Sequence, residues 1–406
     1  MKAIDNCEVC GNTCLRSVLN LGNHPMCDDL VPVGDLRVCK EYPIEILYCN
    51  VCRTGHQKFQ VPKEELFPKS YHYRSRFTAD VLLGMSGLVD TCVDKFGSLD
   101  KKIVIDIGCN DGSLLDFFKK KGSTTIGIEP TDASKDAASK GHQVYSDYLS
   151  VNLAEKILKV HGHPDIITFT NVFAHIEDLT GVLASLNVLK DENTKIIIEN
   201  HYLGAVLDGN QFDTFYHEHP RTYSYTSFKF MAKTLGIDLE AVEFPSRYGG
   251  NIRVFMGLNS QINNQAALSH LNDKEALFEG RFEGLRSNIE KWLVSKGSIL
   301  RSIFEHYGKI HAKAFPGRSA ILVKMLNIDE NMISAVYEKP GSLKIDHYVP
   351  GTRIPILSDD DLLASDNLEK PLLNLAWHIS KEIRDYLVKS GYVGPITDIL
   401  DGNDFS

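Results

Sequence analysis

The chain has no surplus of positive charge. Its 44 lysines and arginines are outnumbered by 53 aspartates and glutamates, for a net charge of −9. A general nucleic-acid binder, which needs a basic face, is therefore excluded, and any anionic ligand must be met by a few local arginines. Long apolar runs are missing too. Nothing reaches the roughly 18 residues of a spanning helix, and no apolar run follows Lys2 as it would in a secretory leader, so no membrane association is expected and the expected location is cytoplasmic. Cysteine nearly disappears after position 52, with seven of nine at or before it. An odd number packed into one segment suggests metal rather than disulfides in a reducing compartment. At 406 residues the chain is too long for one ordinary core, and two or three domains are expected.

The early cysteines fall in two pairs, Cys7-Glu8-Val9-Cys10 and Cys49-Asn50-Val51-Cys52. Four thiolates at this spacing close a tetrahedral zinc site, and a closed site is structural because a catalytic one keeps a position open. The 38 residues between the pairs leave room for a small β subdomain, with its strand signal at 42–48. Cys14, Cys27 and Cys39 are expected as reduced core cysteines.

Beyond a helix expected at 78–96, the run Ile103-Val104-Ile105-Asp106-Ile107 opens into Gly108-Cys109-Asn110-Asp111-Gly112. A β-branched run entering a glycine loop and then a helix is the first βα turn of a doubly wound sheet. A second strand ends in Glu129, at the position that bonds ribose hydroxyls. The pattern fits a dinucleotide or S-adenosylmethionine. Leu114 and Leu115 replace the third glycine a pyrophosphate needs, and Asp106 would repel one but suits a cationic amino group, which favours the methyl donor over NAD. Asp147, after a third strand near Val144, is expected at the adenine edge. Asn171 and His175 follow a fourth strand at the same carboxyl edge of the sheet, where ligands bind.

The fifth strand, 195–201, leads into the densest run of ionisable groups in the chain. There Gln211-Phe212-Asp213 precedes Tyr216-His217-Glu218-His219. A base of near-neutral pKa is what proton removal from carbon requires, and histidine fits. His217 and His219 cannot be told apart here; in an extended segment both point to one side and Glu218 to the other. Further on, Arg247 and Arg253 flank Tyr248-Gly249-Gly250-Asn251 as a loop entering a strand. A mostly helical connection at 260–307 leads to Phe315-Pro316-Gly317-Arg318, a glycine turn before a helix and so a phosphate site by geometry. A final helix, 372–388, has apolar positions that core packing explains.

Taken together, the cysteine pairs, the loop 106–112, Asn171-Val172-Phe173-Ala174-His175, the Tyr-His-Glu-His block and Val349-Pro350-Gly351-Thr352-Arg353-Ile354-Pro355 resemble the zinc-containing sugar-nucleotide C-methyltransferases. The resemblance spans nearly the whole chain, and the Tyr216–His219 block is its most specific part. It implies an α/β protein: a Rossmann-like S-adenosylmethionine domain at 71–258 between a zinc-binding domain at 1–70 and an α/β domain at 259–406. It implies methylation of C3 of a 4-keto deoxysugar nucleotide, with the nucleotide-diphosphate sugar as partner and a monomer or weak homo-oligomer as the assembly. The base falls on His219, supported by Tyr216 and Glu218, with a cleft histidine at His175 and a tyrosine near Tyr71 or Tyr73. The sugar nucleotide falls to Tyr71, Arg247, Tyr248, Asn251, Arg253, Arg318 and Arg353. Tyr248 stands where relatives carry histidine, and 315–318 departs from their glycine- and alanine-rich loop. O-methylation and a non-catalytic zinc-stabilised binding protein are the competing readings.

Overall fold

A computed structural model describes residues 1–67, 74–246, 249–258, 265–364 and 368–405. Three sheets carry the architecture. The first is antiparallel and joins Arg16–Pro25, Glu41–Cys49 and Thr54–Gln57. Along Glu41–Cys49 the residues Tyr42, Ile44, Ile46 and Tyr48 alternate into the core, the period-two pattern of a strand covered on one side. The fourth strand of this sheet, Arg221–Thr222, comes from far along the chain, with Arg221 opposite His56 and Thr222 opposite Gly55.

The second sheet has seven strands, in the order Asp238–Glu243, Asn251–Gly257, Lys195–His201, Ile166–Thr170, Ile103–Ile107, Thr124–Ile128 and Gln143–Tyr145. The last five run parallel, and the first two are antiparallel additions at one edge. Ile103–Ile107 and Ile166–Thr170 are buried almost throughout, as strands covered by helices on both faces must be. Strand order reverses between these two, so a crevice opens at their carboxyl ends.

Two helices, Gln265–Ala276 and Phe278–Tyr307, lead to the third sheet. Its five strands are all parallel: Ile356–Ser358, Ile333–Glu338, Ile310–Lys313, Leu372–Asn374 and Ile396–Asp398. Here the order reverses between Ile310–Lys313 and Leu372–Asn374. The helix expected over 372–388 is thereby corrected. Leu372–Asn374 is a central strand, and the helix is only Ser380–Lys389. The apolar spacing of Leu372, Leu375, Ile379 and Ile383 suits a helix, but Leu373 pairs with Ala312 on one side and Thr397 on the other, and tertiary pairing wins. Of the three cysteines expected in the core, Cys27 is buried, Cys39 half-buried and Cys14 exposed. Among the described residues no helix is long and apolar enough to cross a membrane.

Candidate active site

The glycine loop leaves Ile103–Ile107 through three residues in the left-handed region, Gly108 (φ 71°), Asn110 (φ 50°) and Gly112 (φ 77°). Glycine is required at 108, since a Cβ there would come within 2.4 Å of Val172. Asp106 is 3% exposed and accepts a 2.7 Å bond from Thr168 Oγ1. Burial, with the charge of Glu129 added, pushes its carboxyl up to about 7. Glu129 accepts from the Asn110 N–H at 3.0 Å and from the N–H and hydroxyl of Thr131. Among the described residues no cationic side chain pairs with either acid. The crevice therefore presents two buried carboxyls, a donor set that fits the ammonium and hydroxyl groups of S-adenosylmethionine. Asp147 is exposed just past Gln143–Tyr145. Asn171, at φ 54°, donates its N–H to Glu199 O, and its side chain accepts from Asn251, which also bonds Glu199. Asn251 thus ties together strand ends at the carboxyl edge.

The Tyr216–His219 block is a turn and not an extended segment. The N–H of His219 donates to Tyr216 O at 2.9 Å, folding the imidazole back onto the phenol with ring centres 4.2 Å apart. The two histidines consequently separate. His217 turns to the first sheet, where its Nε2 meets Tyr42 O at 3.0 Å. His219 turns to the cleft, with His175 and His201 at ring distances of 4.8 and 5.2 Å. His219 Nδ1 lies 2.9 Å from Thr214 O, a carbonyl that can only accept, so Nδ1 carries the proton and Nε2 the lone pair. Glu218 Oε2 is 3.9 Å from His175 Nδ1, and Phe67 packs edge-on against the His175 ring at 5.4 Å.

From the third sheet, the loops after Ile310–Lys313 and Leu372–Asn374 bring in Arg318, Trp377 and His378. Asp213 links the two domains: its Oδ2 accepts from Trp377 Nε1 at 2.9 Å and lies 3.1 Å from Arg318 Nε. Arg318 also donates to Thr214 Oγ1 at 3.2 Å. Sequence reading missed His201, Trp377 and His378, and named Asp213 only within Gln211-Phe212-Asp213, with no role. Only the aromatic-histidine pair just after an apolar run hinted at 377–378.

Several expected substrate contacts are otherwise engaged. Arg253 is held between Glu199 at 2.7 Å and Glu243 at 3.2 Å. Arg353 donates to the carbonyls of Asp35, Leu36 and Arg37 and lies over Tyr348, and so staples a loop. In the turn expected to bind phosphate, the N–H groups of Ser319, Ala320 and Ile321 bond Pro316, Gly317 and Arg318 while that of Phe315 bonds Glu338. Tyr71, Tyr73, Arg247 and Tyr248 lie outside the described residues.

Cys7, Cys10, Cys49 and Cys52 converge, with their sulfurs all within 4.8 Å of one another. Zn–S bonds of about 2.3 Å put tetrahedral sulfurs about 3.8 Å apart, so this donor set fits zinc. Around it, His56 Nε2 lies 3.3 Å from Cys7 Sγ, and Glu8 joins His56 to the buried Arg221.

The cleft and its border with the first sheet bury neutral imidazoles. Burial lowers His175 and His217 to about 4, His201 to about 3 and His378 to about 2, and pushes His219 well below its ordinary value. The unfolded chain protonates these groups first, near pH 6.5, so stability falls as pH drops from there toward each folded-state value, by up to about 1.4 kcal/mol per pH unit for each fully buried ring. Asp106 and Asp213, whose values burial raises, act oppositely but are outnumbered. The melting temperature is expected to drop steadily from pH 6.5 to 4 in calorimetric scans at constant ionic strength; a flat profile from pH 7 to 5 would contradict neutral burial.

Known proteins share this organisation. Residues 7–67 match the family described as "Putative zinc binding domain", 72–242 the "Methyltransferase domain", and 246–392 the "C-methyltransferase C-terminal domain". The C-methyltransferase NovU of Streptomyces niveus is 25% identical over 399 residues, covering 95% of this chain and 92% of that protein. The ubiquinone biosynthesis O-methyltransferase of Escherichia coli is 30% identical over 95 residues, 22% of this chain and 39% of its own. Among solved structures, magnesium protoporphyrin IX methyltransferase from Synechocystis PCC 6803 with bound SAH aligns with a TM-score of 0.36 at 15% identity, over 44% of this chain and 83% of that one.

Proposed function

We propose a substrate and a chemical course for this chain, which is an S-adenosylmethionine-dependent C-methyltransferase of the family that joins a zinc-binding, a methyltransferase and a C-methyltransferase carboxy-terminal domain. The substrate is a 4-keto deoxysugar nucleotide, and the product carries a new methyl on C3 as a step toward a branched-chain sugar. The observation that carries this reading is the neutral His219 imidazole, with its free lone pair fixed on Nε2 by Thr214, in a cleft beside a crevice suited to the methyl donor.

S-adenosylmethionine, when bound, supplies an electrophilic methyl group on a sulfonium. Asp106 would hold its amino group, the loop Gly108 to Gly112 its backbone, Glu129 the ribose and Asp147 the adenine. His219 Nε2 removes the C3 proton, and the C–H electrons move into the ketone to form an enolate. C3 would then be the carbon that receives the methyl group, and the His219 imidazolium releases its proton to solvent. Tyr216 packs against the base, and Glu218 supplies negative charge beside His175, the ring that neighbours the base.

The test is an incubation with a panel of 4-keto deoxysugar nucleotides and methyl-labelled donor. The expected product carries the label in a carbon-bound methyl by carbon NMR. Label on oxygen, or refusal of every keto sugar nucleotide by protein that binds the donor, would overturn the reading.

A further inference from the structure

We propose that Arg318 is a catalytic residue whose free guanidinium edge binds the ketone oxygen as it becomes an enolate. This rests on the enolate course above and assigns a group to the charge that course creates.

Three observations converge on it. The first is topological. Arg318, Trp377 and His378 leave the carboxyl ends of Ile310–Lys313 and Leu372–Asn374, the pair at which strand order reverses in the third sheet, and such a switch point is where open parallel sheets bind ligands. The second is an unused donor. The Arg318 side chain is 10% exposed; Nη1 donates to Thr214, Asp213 lies at ion-pair distance from Nε, the guanidinium sits 5.0 Å over the Trp377 ring, and among the described residues the buried Nε and Nη2 have no hydrogen-bond partner. A buried guanidinium N–H without an acceptor is costly, and an anionic oxygen would relieve it.

The third observation is its relation to the base. Thr214 holds both groups at once, its hydroxyl accepting from Arg318 Nη1 at 3.2 Å and its carbonyl accepting from His219 Nδ1 at 2.9 Å. In the substrate, the carbon that loses its proton and the oxygen that gains charge are separated by a single carbon. One residue tethers both the base and a cationic donor, which keeps the two on the same side of the cleft, and the positive charge of Arg318 is felt at His219, His201 and His378. A diphosphate would call for more than one cation, whereas a single enolate oxygen needs one.

The experiment compares wild type, Arg318→Lys and Arg318→Met on a keto sugar nucleotide that wild type methylates. Arg318→Met is expected to lose at least about a hundredfold in kcat, with KM changed far less and solvent deuterium exchange beside the ketone falling in parallel. Added guanidinium salt should partly restore an Arg318→Gly variant and leave wild type unchanged, and Arg318→Lys should retain an intermediate rate. Binding of the bare nucleoside diphosphate should be the same in wild type and Arg318→Met, which also verifies that the variant is folded. If kcat and exchange hold while KM and diphosphate affinity collapse, the arginine serves the diphosphate and the proposal is wrong; undiminished turnover in Arg318→Met also overturns it. If wild type methylates no keto sugar nucleotide, the underlying substrate reading is what fails.

Discussion

His219→Asn is expected to lower methyl transfer by about 10²–10⁴-fold and to abolish hydrogen exchange at the carbon beside the ketone, while donor affinity by calorimetry stays unchanged. Asparagine can still donate to Thr214 O but offers no basic nitrogen, so the packing against Tyr216, His175 and His201 is disturbed less than by alanine. Both readouts matter, because a variant that merely displaced the donor would lose transfer and keep exchange. Exchange persisting in the variant would put the base elsewhere, with His175 and His201 next in line. The neighbouring His217→Asn serves as the contrast. Its imidazole reaches the backbone of Tyr42, outside the cleft, so its cost should appear in stability and leave the exchange rate of folded protein near that of wild type.

Removing zinc is expected to have the second large effect, and to reach the catalytic block although the metal supplies no chemistry there. Cys52 O accepts from both Ser224 and Ser227, and Thr54, one bond from Cys52 Sγ at 3.0 Å, bonds Ser227 at 2.7 Å. Gln57 donates to the carbonyls of Phe215 and Tyr216. Arg221 is fully buried and runs from Glu8 in the first knuckle to the carbonyls of Ile176 and Glu177, immediately after His175. Structural zinc contributes about 10–16 kcal/mol of binding free energy in small finger peptides, and part of that here holds the knuckles in place. Chelation, or Cys49→Ser, is therefore expected to lower the melting temperature by roughly 10 °C or more and to open residues 215–222 to proteolysis, alongside loss of activity. Zinc-free protein with unchanged melting and unchanged proteolysis would show the four thiols to be ordinary core cysteines.

What could be read from the sequence was whatever chemistry depends on local spacing. Two CxxC pairs and a glycine loop after a β-branched run are specified within a few residues, and the corresponding turns sit where Cys7, Cys52, Gly108 and Gly112 require them. Separating His217 from His219 was out of reach because the turn that parts them is fixed by Thr214, just before the block, and Tyr42, 175 residues from His217. Arg318 could be singled out as basic, but its neighbours could not. Asp213 and Trp377 meet it only because two sheets bring their carboxyl edges together, and the three-residue strand that delivers Trp377 is too short for its periodicity to outweigh a helical pattern. That Ser319, Ala320 and Ile321 spend their N–H groups on bonds three residues back is likewise something composition does not reveal.

The strand Arg221–Thr222, lent by the catalytic block to the sheet that carries the cysteine pairs, limits how freely such proteins can be recombined. A chimera cut between zinc-binding and methyltransferase parts would ask one parent's Thr54–Gln57 to hydrogen-bond the other parent's strand, and one parent's glutamate to neutralise the other's buried arginine. Crossover points that keep the first 67 residues together with 211–227 respect the contacts; cuts that divide them create an open sheet edge and a stranded charge. Inheritance in this architecture runs along that seam, and a library of shuffled relatives should show it as a bias among the members that fold.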